Sequence, residues 1–272
     1  MIKSAVTIAL VPQIKSGPWI FWEDLEKSMQ EASSLGFDGI ELFTPAPETM
    51  EIDYLKKLLV EYSLELAAVG TGAGKVLHGL TLTDPDPKIR QKAKQFISGM
   101  IRFGAALGAP AIIGSMQGNA MPGTSRTQSL EWLGEALSEL GTQAKNHGTF
   151  LLYEPLNRYE TNLINTLSAG SELLKTLSNT NVKLLADLFH MNIEEADLPA
   201  SLAQNMETVG HIHFADSNRN PIGLGHTTIQ PISEVIQKSG YSGFVSAEAF
   251  PYPSPTEAAQ KTISSFNQFF RS

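Results

Sequence analysis

Short apolar runs alternate with longer stretches of helical period along the whole chain. Eight strand-like runs stand out, at residues 5–10, 38–43, 65–69, 111–114, 150–154, 183–187, 210–214 and 244–248. Between them apolar residues recur every three or four positions. Ile52, Leu55, Leu59 and Tyr62 share one helical face, as do Ile89, Ala93, Phe96, Met100 and Leu107, and again Leu130, Leu133, Leu137 and Leu140. Gly36, Gly108, Gly148 and Gly240 fall just past predicted helix ends, where a left-handed residue closes the last turn. Strand and helix in strict alternation predict a parallel sheet with helical crossovers, and eight units predict an α/β fold closed as a single (β/α)8 TIM barrel. No linker, charge block or low-complexity stretch interrupts the pattern, so residues 1–272 read as one domain.

Composition narrows the chemistry. There are no cysteines, which excludes disulfides, zinc–thiolate sites, iron–sulfur clusters and thiol catalysis. Any metal must be held by His, Asp or Glu. A formal charge of −8 argues against a nucleic-acid surface, which needs a basic stripe to neutralise phosphates. The apolar start at residues 5–11 is too short to span a membrane and lacks the small-residue cleavage site of a secretory signal. The expectation is a cytoplasmic protein, without membrane or nucleic-acid partners, that acts on a small molecule.

In a TIM barrel the functional groups stand at the C-terminal ends of the strands. Glu154, Asp187, His213 and Glu248 fall at the ends of the last four predicted strands, about one strand–helix repeat apart. Singly, each is explained as a cap or a turn residue. Jointly they would aim one donor apiece at a common point, and three carboxylates converging without a cation would repel one another and lose hydration. The pattern therefore predicts one divalent metal ion. Three oxygen ligands and an imidazole suit Mn²⁺, Mg²⁺ or Co²⁺ better than a structural zinc, with Mn²⁺ the first expectation.

Polar groups suited to a hydroxylated substrate lie nearby: Arg158 and Glu160 after the fifth strand, His190 three residues past Asp187, and Arg219 six past His213. A planar guanidinium can fork onto adjacent oxygens of a polyol or carbonyl. The plainer alternatives are that His190 caps a helix starting near Ile193 and that Arg219 makes a loop salt bridge. His211 is expected to point away from the barrel interior and to be structural. His147 reads as a helix-end residue, and His226 lies on a loop near the site. The segments at residues 70–74 and 114–123 read as loops. The first lacks Walker spacing, with no Ser or Thr after Lys75, and no nucleophile elbow occurs.

The segments Glu154-Pro-Leu-Asn-Arg-Tyr-Glu160, Asp187-Leu-Phe-His-Met-Asn-Ile-Glu-Glu195, His213-Phe-Ala-Asp-Ser-Asn-Arg219 and Ala247-Glu248 resemble the xylose-isomerase-like sugar isomerase/epimerase superfamily. Within it they are most similar to the D-tagatose 3-epimerase and D-psicose 3-epimerase group. The resemblance spans the barrel and is most specific from the fifth strand onward. It implies that Glu154, Asp187, His213 and Glu248 bind the metal. It also implies that Glu154 and Glu248 double as the acid/base pair, and that Glu160, His190 and Arg219 hold the oxygens of a carbohydrate. The implied reaction is proton abstraction beside a carbonyl through a cis-enediolate, with 3-epimerisation of a keto sugar foremost. A homo-oligomer is implied by resemblance as well. The sugar-contacting residues of the first half depart from the epimerase pattern, which leaves a free ketohexose, a keto-inositol, a sugar phosphate and an oxidised glycoside as candidate substrates. A metal-dependent lyase or dehydratase of a keto-inositol or keto-glycoside begins with the same proton abstraction and is the alternative. An endonuclease-IV-like nuclease would need further histidines on earlier strands, and a non-catalytic sugar-binding barrel would not need both bases.

Overall fold

The computed structural model describes residues 1–271 apart from positions 23 and 180. Among these residues nine parallel strands form one sheet: β1 (Lys3–Ala9), β2 (Phe21–Trp22), β3 (Gly39–Phe43), β4 (Glu65–Gly70), β5 (Ala111–Ile113), β6 (Leu151–Tyr153), β7 (Val182–Asp187), β8 (Val209–His213) and β9 (Phe244–Ala247). Strand β9 returns to pair with Lys3–Val6 of β1 and closes the sheet. The result is a single (β/α)8 barrel built from β1 and β3–β9, in agreement with all eight strand-like runs. Strand β2 is the addition. It pairs with Ile8 and Ala9, and so covers the edge of β1 beyond the point where β9 ends. Two residues are too few to show a strand period, so the sequence pattern does not reveal it.

The three apolar stripes become α2 (Ile52–Glu61), α4 (Pro87–Ala105) and α5 (Arg126–Asn146) on the outside of the barrel. Side-chain oxygens of Asp86 and Ser125 accept backbone N–H bonds at the starts of α4 and α5. Gly36, Gly108, Gly148 and Gly240 all adopt positive φ, between 75° and 85°. His147 caps the end of α5, as expected. Residues 70–74 are not simply a loop: Gly70 ends β4, and Ala73 and Gly74 open a short helix, α3 (Ala73–His78). Residues 115–117 of the second expected loop form a 3-10 turn. Among the described residues no helix is long and apolar enough to cross a membrane.

The barrel interior is two-sided in character. Ala68, Ile112, Leu152 and Leu185, contributed by β4 to β7, form an apolar cluster separate from the larger core between barrel and helices. Across from them, β1, β3, β8 and β9 place Thr7, Glu41, His211 and Ser246 in the interior, all buried. Truncating Leu152, which is fully buried, removes contacts that the closed barrel cannot collapse to replace. Leu152→Ala is expected to lower unfolding free energy by about 2–5 kcal/mol, read as a reduced urea midpoint at unchanged m-value.

Candidate metal centre

Four side chains meet just beyond the C-terminal end of the barrel. One donor atom from each of Glu154, Asp187, His213 and Glu248 lies within 4.8 Å of the others, and all four residues are buried. His213 Nδ1 stands 3.4 Å from Glu154 Oε1, 3.5 Å from Asp187 Oδ2 and 3.7 Å from Glu248 Oε2.

Each arrives by a different local device. Glu154 follows the last residue of β6. Its backbone N–H donates to Ile113 and its carbonyl accepts from Gln117 Nε2, while Gln117 Oε1 accepts from the Tyr153 hydroxyl at 2.7 Å. A Cβ on Gly114, the residue after β5, would lie 2.4 Å from Glu154 Oε2, so a side chain there would displace this carboxylate from its place in the cluster. Asp187 ends β7 and begins α7 (Leu188–Glu194). Its Oδ1 accepts from the Phe189 N–H at 2.7 Å, so it is a helix cap with one oxygen and offers the other to the cluster. His213 ends β8, and Glu248 follows the last residue of β9.

Glu154 Oε1, Asp187 Oδ2 and His213 Nδ1 are buried and have no hydrogen-bond partner. Leaving such atoms unsatisfied is costly, and together they are an anionic, oxygen-rich donor set with one imidazole, which suits a hard divalent cation. Donors each roughly 2.0–2.2 Å from one ion would stand about 3–4 Å apart, and His213 Nδ1 stands 3.4–3.7 Å from the three carboxylates. The residues present therefore fit a metal.

The protonation equilibria follow from crowding. Burial and the neighbouring Glu154 and Asp187 push Glu248 up to about 7, against the opposing pull of Arg219 and His213. Burial alone would also raise Asp187, but His190, His213 and Arg219 outweigh it and hold its carboxyl well below the usual range. The ring of His213 is disfavoured as a cation by burial, yet Glu41, Glu248, Asp187 and Glu154 drive it well above an ordinary histidine.

The three predicted substrate contacts border the cluster. His190 lies within α7, so it does not cap a later helix. Its Nδ1 accepts from the backbone N–H of Asn157 and lies 2.7 Å from the Asn157 amide nitrogen. An acceptor Nδ1 leaves the proton of the neutral ring on Nε2, which is buried, unpartnered, and 3.6 Å from Asp187 Oδ2. Glu160 Oε1 accepts from the other side of the Asn157 amide and lies 3.6 Å from Arg219. Arg219 is the salt bridge of the plainer alternative as well as a site residue. Its Nη2 is 2.5 Å from Glu248 Oε2, and its guanidinium lies over the Phe189 ring. It holds a left-handed backbone, φ 60°, a conformation that costs a non-glycine residue of order 1–3 kcal/mol and persists where surrounding structure enforces it. Here Asp216 and Phe250 bond the Arg219 backbone on either side.

Other expectations change. Arg158 turns away to pair with Glu194 at 3.0 Å. His226 is exposed and does not border the cavity. His211 does not point away from the interior. Residues two apart on a strand share a face, so His211 enters the barrel beside His213, and both reach the buried carboxylate of Glu41, at 2.7 Å and 3.0 Å. Burial would raise that carboxyl, but the two imidazoles outweigh it and hold it below the usual carboxylate range. Glu41, Gln117 and Asn157 were not singled out by sequence. The one available signal was a lone Glu within the apolar run Gly39-Ile40-Glu41-Leu42-Phe43.

Above the cluster opens a cavity of about 210 Å³, below the ~300–1,000 Å³ of drug-sized sites and suited to a small ligand. Its lining includes the polar Glu154, Glu160, His190, Arg219 and Glu248 and the apolar Val11, Ile14, Trp19, Phe43 and Val76.

The profile of the xylose isomerase-like TIM barrel family matches residues 29–269. The chain belongs to that family. A D-psicose 3-epimerase of Ruminiclostridium cellulolyticum is 30% identical over 239 residues, 84% of this chain and 80% of that protein. A 3-dehydro-D-guloside 4-epimerase of Escherichia coli is 34% identical over 111 residues, 41% of this chain and 42% of that one. Among solved structures, an L-ribulose 3-epimerase superposes with a TM-score of 0.85 over 100% of this chain and 95% of its own, at 20% identity, which speaks for the fold.

Because Glu248 is raised from 4.5 to about 7, the folded protein holds a proton there that the unfolded chain has lost between those values. Its contribution to stability declines as pH rises through about 7. A cation must displace the protons on Glu248 and His213. Mn²⁺ affinity is therefore expected to rise between pH 6 and 8, with net proton release at pH 6 seen as a buffer-dependent binding enthalpy. A buffer-independent enthalpy would contradict this.

Proposed function

We propose that this member of the family is a divalent-metal-dependent ketose 3-epimerase that inverts a carbon beside a carbonyl. The observation that carries the reading is the convergence of Glu154 and Glu248, from β6 and β9, on one buried donor cluster at the floor of a small cavity. Relatives named as psicose and ribulose 3-epimerases, each matched over 84% of this chain, support the class of reaction.

The bound ion, Mn²⁺, Mg²⁺ or Co²⁺, supplies Lewis-acid polarisation of a substrate oxygen. The protein supplies the rest. One of Glu154 and Glu248 removes the proton from the carbon next to the carbonyl, giving the cis-enediolate of the sugar. The other returns a proton from the opposite face, which inverts the centre. Arg219, held against Glu248, and the Nε2–H of His190 face substrate oxygens as donors, and Glu160 accepts from a hydroxyl. The Asn157 amide, shared between His190 and Glu160, keeps these two in register.

The cavity favours an uncharged sugar over a sugar phosphate. Among the described residues no lysine lines it, and its arginine is already committed to Glu248 and close to Glu160 and Asp187. A nuclease reading finds no support, because β3, β4 and β5 end at Phe43, Gly70 and Ile113 rather than at histidines.

Mn²⁺-loaded protein in D₂O, offered ketohexoses, keto-inositols, sugar phosphates and 3-keto-glycosides, is expected to exchange the carbon-bound proton of a free ketose at C3 and to form its epimer. Exchange only with a 3-keto-glycoside, or a product by NMR that has lost a leaving group, would replace epimerisation of a free ketose by one of the alternatives. Glu154→Gln and Glu248→Gln are each expected to lower turnover by at least ~10²–10⁴-fold while part of the ion binding survives, since an amide ligates but takes no proton. Normal deuterium incorporation in either variant overturns its role as a base.

A further inference from the structure

Glu41 presents a problem that the fold alone does not explain. Its side chain is fully buried inside the barrel, where an ionised carboxylate is costly to desolvate. Strands β3 and β8 are not neighbours, since β1 and β9 lie between them. Yet Glu41 crosses the interior to both histidines of β8, with Oε2 on His211 Nε2 at 2.7 Å and Oε1 on His213 Nε2 at 3.0 Å. Well-packed apolar side chains would serve stability as well or better, and β4 to β7 fill their half of the same interior in that way with Ala68, Ile112, Leu152 and Leu185.

The arrangement has a chemical consequence. An ionised carboxylate only accepts, so the ring nitrogen of each histidine that faces it must donate. In the neutral form of His213 that can bind an ion, this places the proton on Nε2 and leaves the Nδ1 lone pair directed at Glu154, Asp187 and Glu248. The ring of His211 stands nearly perpendicular to that of His213, at 83° with centroids 5.5 Å apart. With one donor on each oxygen, the carboxylate is fixed in plane and position.

We propose that Glu41 is a positioning residue of the metal centre: anchored by His211, it fixes the tautomer and orientation of His213 so that Nδ1 is presented to the ion. The inference rests on the metal-centre reading above. A histidine ligand oriented by a carboxylate on its far nitrogen is more basic and better aimed than a free one, and loss of such a partner typically weakens metal binding 10–100-fold.

The test is Mn²⁺ titration of purified, ion-stripped protein by calorimetry, comparing wild type with Glu41→Gln, Glu41→Asp and Leu152→Ala. Gln keeps the shape but can accept from only one of the two histidines and sets an N–H against the other. Glu41→Gln is expected to weaken Mn²⁺ binding 10–100-fold, Glu41→Asp to recover part of that loss, and Leu152→Ala, an equally buried change in the same interior, to leave affinity unchanged. Wild-type affinity in Glu41→Gln, or an equal loss in Leu152→Ala, overturns the proposal, as does a second wild-type ion that disappears in Glu41→Gln while the first binds as before. Failure of wild type to bind any divalent ion would instead remove the metal-centre reading on which it stands. Nitrogen-15 spectra of Mg²⁺-loaded wild type need no variant to fold: the His213 ring proton is expected on Nε2, and a proton on Nδ1 overturns the proposal.

Discussion

Buried like charges are the constraint around which this molecule is arranged. Glu154, Asp187 and Glu248 meet in a space of a few ångströms, where water cannot screen them and their mutual repulsion is strong. Three answers to that crowding are visible in the protein itself. Arg219 lies against Glu248, Asp187 spends one oxygen on the start of α7, and Glu248 leans toward its neutral form. None of them satisfies the inward oxygens of Glu154 and Asp187 or the inward nitrogen of His213, and a divalent cation would satisfy all three at once. The same crowding explains the backbone of Arg219, whose left-handed conformation is held by bonds on both sides so that its guanidinium meets the cluster.

Support for the site extends inward as well as outward. The half of the barrel interior beneath β4 to β7 is apolar, and its work is packing. The half lined by β8, β9, β1 and β3 is polar, and its work is orientation: Thr7 bonds the carbonyl of Ala247, one residue before Glu248, and Glu41 bonds His211 and His213. At the end of β6, Gln117 links the Tyr153 hydroxyl to the backbone of Glu154. These bonds hold the side chains of the cluster in low-entropy positions, which is how a site limits the reorganisation it must undergo in use.

Under the proposed function, the chemistry turns on two carboxylates, Glu154 and Glu248, that are both ligands and bases. Glu154 and Glu248 follow β6 and β9, with Asp187 of β7 and His213 of β8 between them in strand order, so on that reading a substrate seated over the cluster would meet a base on each side. Asp187 and His213 are each committed elsewhere, to a helix cap and to Glu41. That division of labour is not written in residue type, since Asp187 is as much a carboxylate as the other two.

The barrel and the convergence of four donor side chains at one end of it were legible in the chain because both depend on short-range regularities. Alternating periods of two and 3.6 locate strands and helices, and a parallel barrel obliges every strand end to face the same side. Glu154, Asp187, His213 and Glu248 could therefore be brought together by spacing, with a family resemblance naming the chemistry. Contacts across the barrel were not legible. Glu41 and His211 are 170 positions apart and meet because closure of β9 on β1 brings β3 and β8 into the same half of one lumen, with only β1 and β9 between them. No local pattern records that distance. The wrong direction assigned to His211 came from misreading the strand period, which the sequence did contain. The turn of Arg158 toward Glu194 rather than toward the cavity depends on the path of one loop. Patterns of hydrophobicity and spacing determined the fold and the end of it that would be functional, while tertiary packing decided which polar groups point into the site, because that depends on which non-adjacent side chains compete for each buried donor and acceptor.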